Sequence, residues 1–316
     1  MSNVSAGETS QKPKTARERF LESDLWWSFK NSKSAVGAAI VLALVVLTAI
    51  FAPLLSPQDP YDLAALELWN AELPPVWAEG GQMPYILGTD VQGRDILSGI
   101  LYGTRVSIII GISSVVVSLA VGVMAGLAAG YYGGWVDNVL MRIGDVLLSI
   151  PIILVAILVS SVAMALLPPE LRDAGISAVL VLAIALYSWV QYARVVRGQT
   201  MVERRKEYVQ ASRLVGTPAR RLMLKHILPN TLTPVLVAAT LNFGLAILIE
   251  ATLSFLGVGM PPNQPSLGTL IRVGNQYLFS GSWWIVLFPS IQLCILVVSV
   301  NMLGDWLRDA LNPKLR

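Results

Sequence analysis

The sequence predicts an all-α, polytopic membrane protein with six transmembrane helices and both termini on the cytoplasmic side. Three observations predict it. The chain of 316 residues is 54% apolar and only 14% charged, a balance outside the range of ordinary soluble domains. Six apolar stretches, near 34–52, 106–129, 139–167, 176–196, 232–256 and 284–303, are each long enough to cross roughly 30 Å of hydrocarbon. Basic residues gather in alternate loops, which sets the orientation.

Each span follows from the same physics. Hydrocarbon offers no solvent to backbone N–H and C=O groups, so apolar segments of this length must be helical. The first begins after more than thirty largely polar residues, so it reads as a retained anchor and not as a cleaved signal peptide. The second carries Gly122, Gly126 and Gly130 at four-residue spacing, which lets another helix approach closely. Pro151 is expected to break or kink the third at 149–150. The last contains the single cysteine, Cys294, which reads as a small packing residue.

The net charge of +3 is unevenly spread. Lys12, Lys14, Arg17, Arg19, Lys30 and Lys33 precede the first span. The loop after the fourth holds Arg194, Arg197, Arg204, Arg205, Lys206, Arg213, Arg220, Arg221 and Lys225, whereas the first loop is acidic. Both termini and the 207–230 loop are therefore placed inside, and the first loop and the 257–283 loop outside. Topology alone accounts for the basic clusters, so no nucleic-acid partner is implied. The resulting division is a cytoplasmic segment 1–33, a first span with a long outer loop 34–104, a five-helix core 105–308 with a cytoplasmic loop 197–230, and a tail 309–316.

Segment 1–14 is rich in Ser, Thr, Gly and Lys and predicts disorder. Segment 16–31 has two readings: a short helix lying on the inner leaflet with Trp26 and Trp27 at the interface, or an extension of the first span. The outer loop, about 53–104, is too long for a connector and predicts a small folded lid. Within it, Gly88, Asp90, Gly93, Arg94 and Asp95 lie in Leu87-Gly88-Thr89-Asp90-Val91-Gln92-Gly93-Arg94-Asp95. That run predicts a tight turn and then a helix, with Asp90 or Asp95 pairing with Arg94 or Arg105, and serves either structure or partner contact.

Two carboxylates fall in or near spans, where ionisable groups are functional candidates by default. Asp145 either serves function or reaches water or Arg142. Glu250 is deeper, and its readings are a protonated group, a pair across a subunit interface, or a polar pathway with Asn242 and Ser254.

The 207–230 loop is the most informative stretch. Segment 203–215 predicts a helix with Tyr208, Ala211, Ser212 and Val215 on one face. Gly216 stops it, Thr217 caps the next helix and Pro218 takes its first position. The second helix runs to about Ile227, with Leu222, Met223, His226 and Ile227 on one side, and Pro229 marks a break. Two short helices at a glycine corner form either a docking element for another protein or an amphipathic hairpin on the lipid surface.

This segment resembles the cytoplasmic loop of permease subunits of ATP-binding-cassette importers. Their pattern is Glu-Ala-Ala, three residues, Gly, nine residues, then Ile-x-Leu-Pro. Here it reads Gln210-Ala211-Ser212, Gly216, then His226-Ile227-Leu228-Pro229. Gln210, Ser212 and His226 depart from the pattern, which weakens a salt bridge from position 210 to the ATPase but keeps the helix–corner–helix shape. Ala251-x-Leu253-Ser254-Phe255-Leu256-Gly257 and Leu303-Gly304-Asp305-x-Leu307-Arg308-Asp309-Ala310-Leu311-x-Pro313, with the Gly88–Asp95 run, resemble C-type permease subunits of dipeptide, oligopeptide and nickel importers. Pro74-Pro75-x-Trp77-x-Glu79-Gly80-Gly81 looks most like the dipeptide branch.

The resemblance implies a type I importer fold in the bacterial inner membrane. It implies coupling through Glu207, Gln210, Ala211, Ser212, Gly216, Thr217, Pro218, Leu228 and Pro229. It further implies a second and different permease subunit, two cytoplasmic ATPases that carry ATP and Mg²⁺, and an external peptide-binding protein. The expected cargo is a dipeptide or short peptide, with nickel and glutathione as alternatives. The chain itself has no Gly-x-x-x-x-Gly-Lys-Ser/Thr loop and no clustered metal-ligand pattern, so no cofactor, metal or catalytic site is expected in it. The rivals are an ion-coupled secondary transporter that uses Glu250, weighed against by the lack of an evident inverted repeat, and a membrane assembly factor.

Overall fold

The computed structural model describes residues 24–62 and 66–311. The expected disorder of 1–14, the first part of the 16–31 segment and the last five residues lie outside the described residues. The elements are α1 (Asp24–Asn31), α2 (Lys33–Ile50), α3 (Ala52–Leu55), α4 (Ile96–Tyr132), α5 (Gly134–Ser149), α6 (Ile152–Leu166), α7 (Pro169–Glu203), α8 (Glu207–Leu214), α9 (Ala219–Arg221), α10 (Leu228–Phe255), α11 (Leu267–Tyr277) and α12 (Trp284–Ala310). A π turn over Leu222–Ile227 joins α9 to α10. Five helices are long and apolar enough to cross a membrane, and a sixth crossing requires α5 and α6 together.

Of the two readings of segment 16–31, the described part is a separate helix. Ser32 is extended and its hydroxyl accepts from the Ala35 N–H at 3.3 Å, capping α2, so α1 ends instead of continuing. Phe29 of α1 packs edge-on against Trp306 of α12 at 5.1 Å.

The third apolar stretch differs from the single span expected over 139–167. Pro151 disfavours helical geometry at the preceding residue, and Ile150 is extended. The chain turns by 97° between α5 and α6. The fifteen residues of α6 reach only about 22 Å, short of the hydrocarbon thickness. α5 carries the charged residues Asp137, Arg142 and Asp145. Two of these are held by α7: Arg197 grips Asp137 through Nε and Nη2 at 2.5 and 2.6 Å, and Arg194 Nη2 reaches Asp145 at 2.8 Å. Arg194, not Arg142, is thus the partner of Asp145.

The dominant helix contact is between α4 and α7, which run parallel. The glycine row predicted to admit a neighbour faces α7. A Cβ on Gly122 would stand 2.6 Å from the Trp189 carbonyl, one on Gly126 2.6 Å from the Ala193 carbonyl, and one on Gly130 2.6 Å from Thr200 Cβ. Backbones this close gain dispersion contact that larger residues would forbid, and this contact is what drives association where lipid competes for apolar surface.

Three apolar clusters flank that contact. One joins α2, α4, α10, α11 and α12 around Ile100, Leu267 and Leu296. A second joins α4, α6, α7 and α10 around Ile110, Leu180 and Leu253. The third joins the ends of α4 and α7 to the loop between α7 and α10, through Leu127, Val196, Val209, Leu222 and Ile227.

Gly126→Val should overpack the α4–α7 contact and lower stability by about 1–3 kcal/mol. Gly37→Ala, where a Cβ meets nothing within 4 Å, should be near neutral. Unfolding midpoints in detergent check both.

Candidate functional site

Three groups of residues singled out in the sequence occupy three separate places. The first is the 207–230 loop. α7 continues to Glu203, a turn follows, and α8 begins at Glu207, so the single helix expected over 203–215 is not formed. The reason is local: the buried Glu203 carboxylate accepts from Lys206 Nζ at 2.7 Å and from the Tyr208 hydroxyl, folding the chain back on itself. Asn230 Nδ2 donates to the Tyr208 hydroxyl and to the His226 carbonyl, both at 2.9 Å, tying the loop's two ends together.

Tyr208, Ala211 and Ser212 share one face of α8 as expected, and it is not the buried one. Val209 is its buried anchor, whereas Ala211 is exposed and Ser212 is half-buried, its hydroxyl returning to the Tyr208 carbonyl at 2.8 Å. Gln210 Nε2 donates to the Arg204 carbonyl at 3.2 Å. Gly216 ends α8 at φ +84°. Thr217 N–H bonds to the Ser212 carbonyl at 3.1 Å and Gly216 N–H to the Arg213 carbonyl at 3.0 Å, closing the helix end as a left-handed glycine cap does.

The following helix starts one residue later than expected. Pro218 is extended at the cap position, Thr217 makes no cap bond, and Ala219 opens the turn. Pro229 makes no break. In the π turn before it, the Leu228 N–H reaches the Met223 carbonyl, and α9, the π turn and α10 form one rod over Ala219–Phe255. Widening the helix just before Pro229 accommodates the donor that proline lacks. Leu222 and Ile227 are buried, Met223, His226 and Leu228 half-buried, and Pro229 exposed. The loop is therefore a rigid corner between two long rods. Its tip carries Leu214 at 89% and Val215 at 87% exposure, an apolar pair that no described residue covers.

The second place is Glu250, which is fully buried. Its carboxylate accepts from the Ser107 hydroxyl of α4 and the Ser254 hydroxyl of α10, each at 2.7 Å. Ser254 Oγ accepts from Met260 N–H at 3.1 Å, and Ser107 Oγ from Leu267 N–H at 3.4 Å. The group thus ties α4, α10 and the segment entering α11 together inside one chain. In this structure Glu250 therefore presents no face to a pathway or to a subunit interface. Asn242 lies eight residues away on the same helix, about 12 Å along its axis, and does not join the cluster.

The third place is the outer-loop motif. Among its described residues the loop has little regular structure, with a 3₁₀ turn at Leu68–Asn70 and an isolated bridge between Thr89 and Asp95. Asp90 Oδ1 accepts from the N–H groups of Gln92 and Arg94 at 2.8 and 2.9 Å. Asp95 caps α4, accepting from Ser98 N–H at 2.7 Å and Ser98 Oγ at 2.5 Å. Gly88 and Gly93 have φ of +86° and +77°, as the turn demands. The expected ion pairs are absent among the described residues. Arg94 instead donates through Nη1 to the Pro262 carbonyl at 2.6 Å, pinning the first outer loop to the segment that precedes α11. Unmet backbone donors attracted the two aspartates more strongly than a cation did.

These features define a membrane permease component built from apolar rods, with a helical corner on one end. A model described as "Binding-protein-dependent transport system inner membrane component" matches residues 122–316. Another, described as "N-terminal TM domain of oligopeptide transport permease C", matches residues 21–75. The chain belongs to the first of these families, and is a multi-pass inner-membrane protein with the type I importer permease fold. It is 40% identical over 293 residues to the "Di/tripeptide transport system permease protein DppC" of Pseudomonas aeruginosa, covering 93% of this chain and 92% of that one. It is 41% identical over 304 residues to the "Dipeptide transport system permease protein DppC" of Haemophilus influenzae, covering 96% and 97%. It is 36% identical over 293 residues to the "Glutathione transport system permease protein GsiD" of Pectobacterium atrosepticum, covering 93% and 91%.

Asp95→Ala should lower the stability of the outer lid by about 1 kcal/mol through loss of the α4 cap, and Asp95→Asn, which keeps an accepting oxygen, should lower it less. Burial raises the Asp90 and Asp95 carboxyls above their ordinary value. The folded loop therefore holds these protons more tightly than the unfolded one. Their contribution is full below the unfolded pKa and is lost as pH rises through the folded pKa. Hydrogen exchange of the lid at mildly acid and neutral pH checks this: protection should be greater in acid, and less so in Asp95→Asn.

Proposed function

We propose that this chain is one permease subunit of an ATP-driven importer that carries dipeptides or short peptides inward. The observation that carries the proposal is the glycine-cornered element with an uncovered apolar tip, clamped between the end of α7 and the rod that continues into α10. In this reading the element lies in the cytosol with both chain termini, as the distribution of basic residues favours. An ATPase subunit covers it, and a second, related permease completes the translocation path. ATP and Mg²⁺ are bound by the two ATPases, and a binding protein delivers peptide from outside.

The mechanism follows from stiffness. Closure of the ATPase pair displaces the corner, and a corner fixed to two rods passes that displacement into α7 and α10 instead of absorbing it. Such a bundle changes between two packed arrangements, so a ligand that favours one of them biases the whole. The names of the relatives support a peptide cargo, and the glutathione relative carries a tripeptide-like one. Uptake of labelled dipeptide, glutathione and nickel in cells with and without the chain separates these cargoes.

Gly216→Val tests the coupling role. Left-handed geometry costs a residue with a Cβ about 1–2 kcal/mol, and nothing stands within 4 Å to clash with one, so the change acts on the corner and not on packing. The expected result is an assembled complex whose ATP hydrolysis no longer drives uptake. Normal coupled uptake would contradict the proposal.

The ion-coupled alternative makes a separate prediction. If Glu250 is a structural acceptor, Glu250→Gln retains uptake that depends on ATP, whereas Glu250→Leu, which strands the Ser107 and Ser254 hydroxyls, loses stability by about 1–3 kcal/mol per buried polar group. Ion-dependent uptake abolished by Glu250→Gln would favour the alternative.

A further inference from the structure

Beside the apolar tip of the corner lies an open cavity of about 680 Å³ lined by Tyr131, Tyr132, Arg204, Arg205, Gln210 and Arg213, with the start of α9 closing one side. Its charge is one-sided. Among the described residues three guanidinium groups line it and no carboxylate does. Arg204 is partly engaged, donating through Nη1 to the Tyr131 carbonyl at 2.8 Å. Among the described residues neither Arg205 nor Arg213 has a salt-bridge partner. Glu207 of α8 is not in the lining, Glu203 is held by Lys206 and Tyr208, and Asp137 by Arg197. Gln210, the one uncharged polar residue of α8 in the lining, leaves this charge uncompensated where a carboxylate would have neutralised part of it.

We propose that this cavity receives one or more carboxylate side chains of the ATPase subunit, so that the corner docks by an apolar tip and an adjoining basic socket. The proposal rests on the coupling role proposed above and adds the chemistry of the partner surface. Charge complementarity supports it: guanidinium groups present paired N–H donors that match a carboxylate. So does composition, since exposed Leu and Val next to Arg and Tyr make the kind of surface that protein interfaces bury. Arg213 and Thr217, which line the socket, flank Leu214 and Val215 in the chain, so the socket adjoins the tip. An anionic lipid surface can also take a basic socket beside an apolar tip, and nanodiscs with and without phosphatidylglycerol separate it from a protein carboxylate.

The test uses the complete complex in nanodiscs and measures retention of the ATPase subunit as salt is raised, with co-purification of the partner permease as the check on folding. Arg205→Ala/Arg213→Ala should weaken retention about tenfold and flatten its salt dependence. Arg205→Lys/Arg213→Lys should restore most of both. Unchanged retention in the alanine pair, with loss in Leu214→Asp, would overturn the socket and leave the coupling role standing. Unchanged retention in all variants, Leu214→Asp included, would overturn both. A loss in the alanine pair that appears only in nanodiscs containing phosphatidylglycerol, and not in neutral ones, would assign the socket to lipid and overturn the proposal.

Discussion

The close approach of α4 and α7 is the constraint on which the rest of the molecule depends. Three glycines at four-residue spacing bring the α4 backbone onto the α7 carbonyls at 189 and 193 and onto Thr200, and this contact cannot be loosened by degrees. The outer lid leads into α4 through the Asp95 cap. The helical corner hangs from the end of α7. A packed, parallel pair therefore spans the distance between the lid on one side and the corner on the other. Glu250 adds a second tie, holding α4 to α10 and to the segment before α11.

Much of the fold was legible because lipid leaves the chain few options. Length and apolar content place five long helices, and the glycine row identifies a close contact, since these features do not depend on tertiary detail. The third stretch was only half legible. Pro151 signals a break, but hydropathy cannot say whether the pieces on either side stay collinear. The 97° turn places Asp137 and Asp145 where Arg197 and Arg194 on α7 can hold them, and that partnership is visible only in three dimensions.

The functional corner was legible in kind and less so in register. Gly216 marked its turn because a positive φ selects glycine. Thr217 and Pro218 were displaced by one position, since Pro218 is extended and itself takes the cap position. The break expected at Pro229 vanished because a π turn supplied a bonding pattern that a periodic reading does not contain. The folding-back at Glu203 was hidden in the same way, since it depends on Lys206 and Tyr208 converging on one carboxylate. For Glu250, sequence alone marked the residue as unusual but could not tell a structural acceptor from a transport group. The serines that satisfy it come from positions 107 and 254, one of them far away in the chain.

The most direct test of ATPase docking at the corner is photocrosslinking from a reactive amino acid placed at Leu214 in the assembled transporter, read with and without ATP. The account predicts a crosslink to an ATPase subunit whose yield changes with nucleotide, because the uncovered tip sits against the part that closes. Crosslinks to lipid alone, under conditions in which ATP-dependent uptake continues, would contradict it.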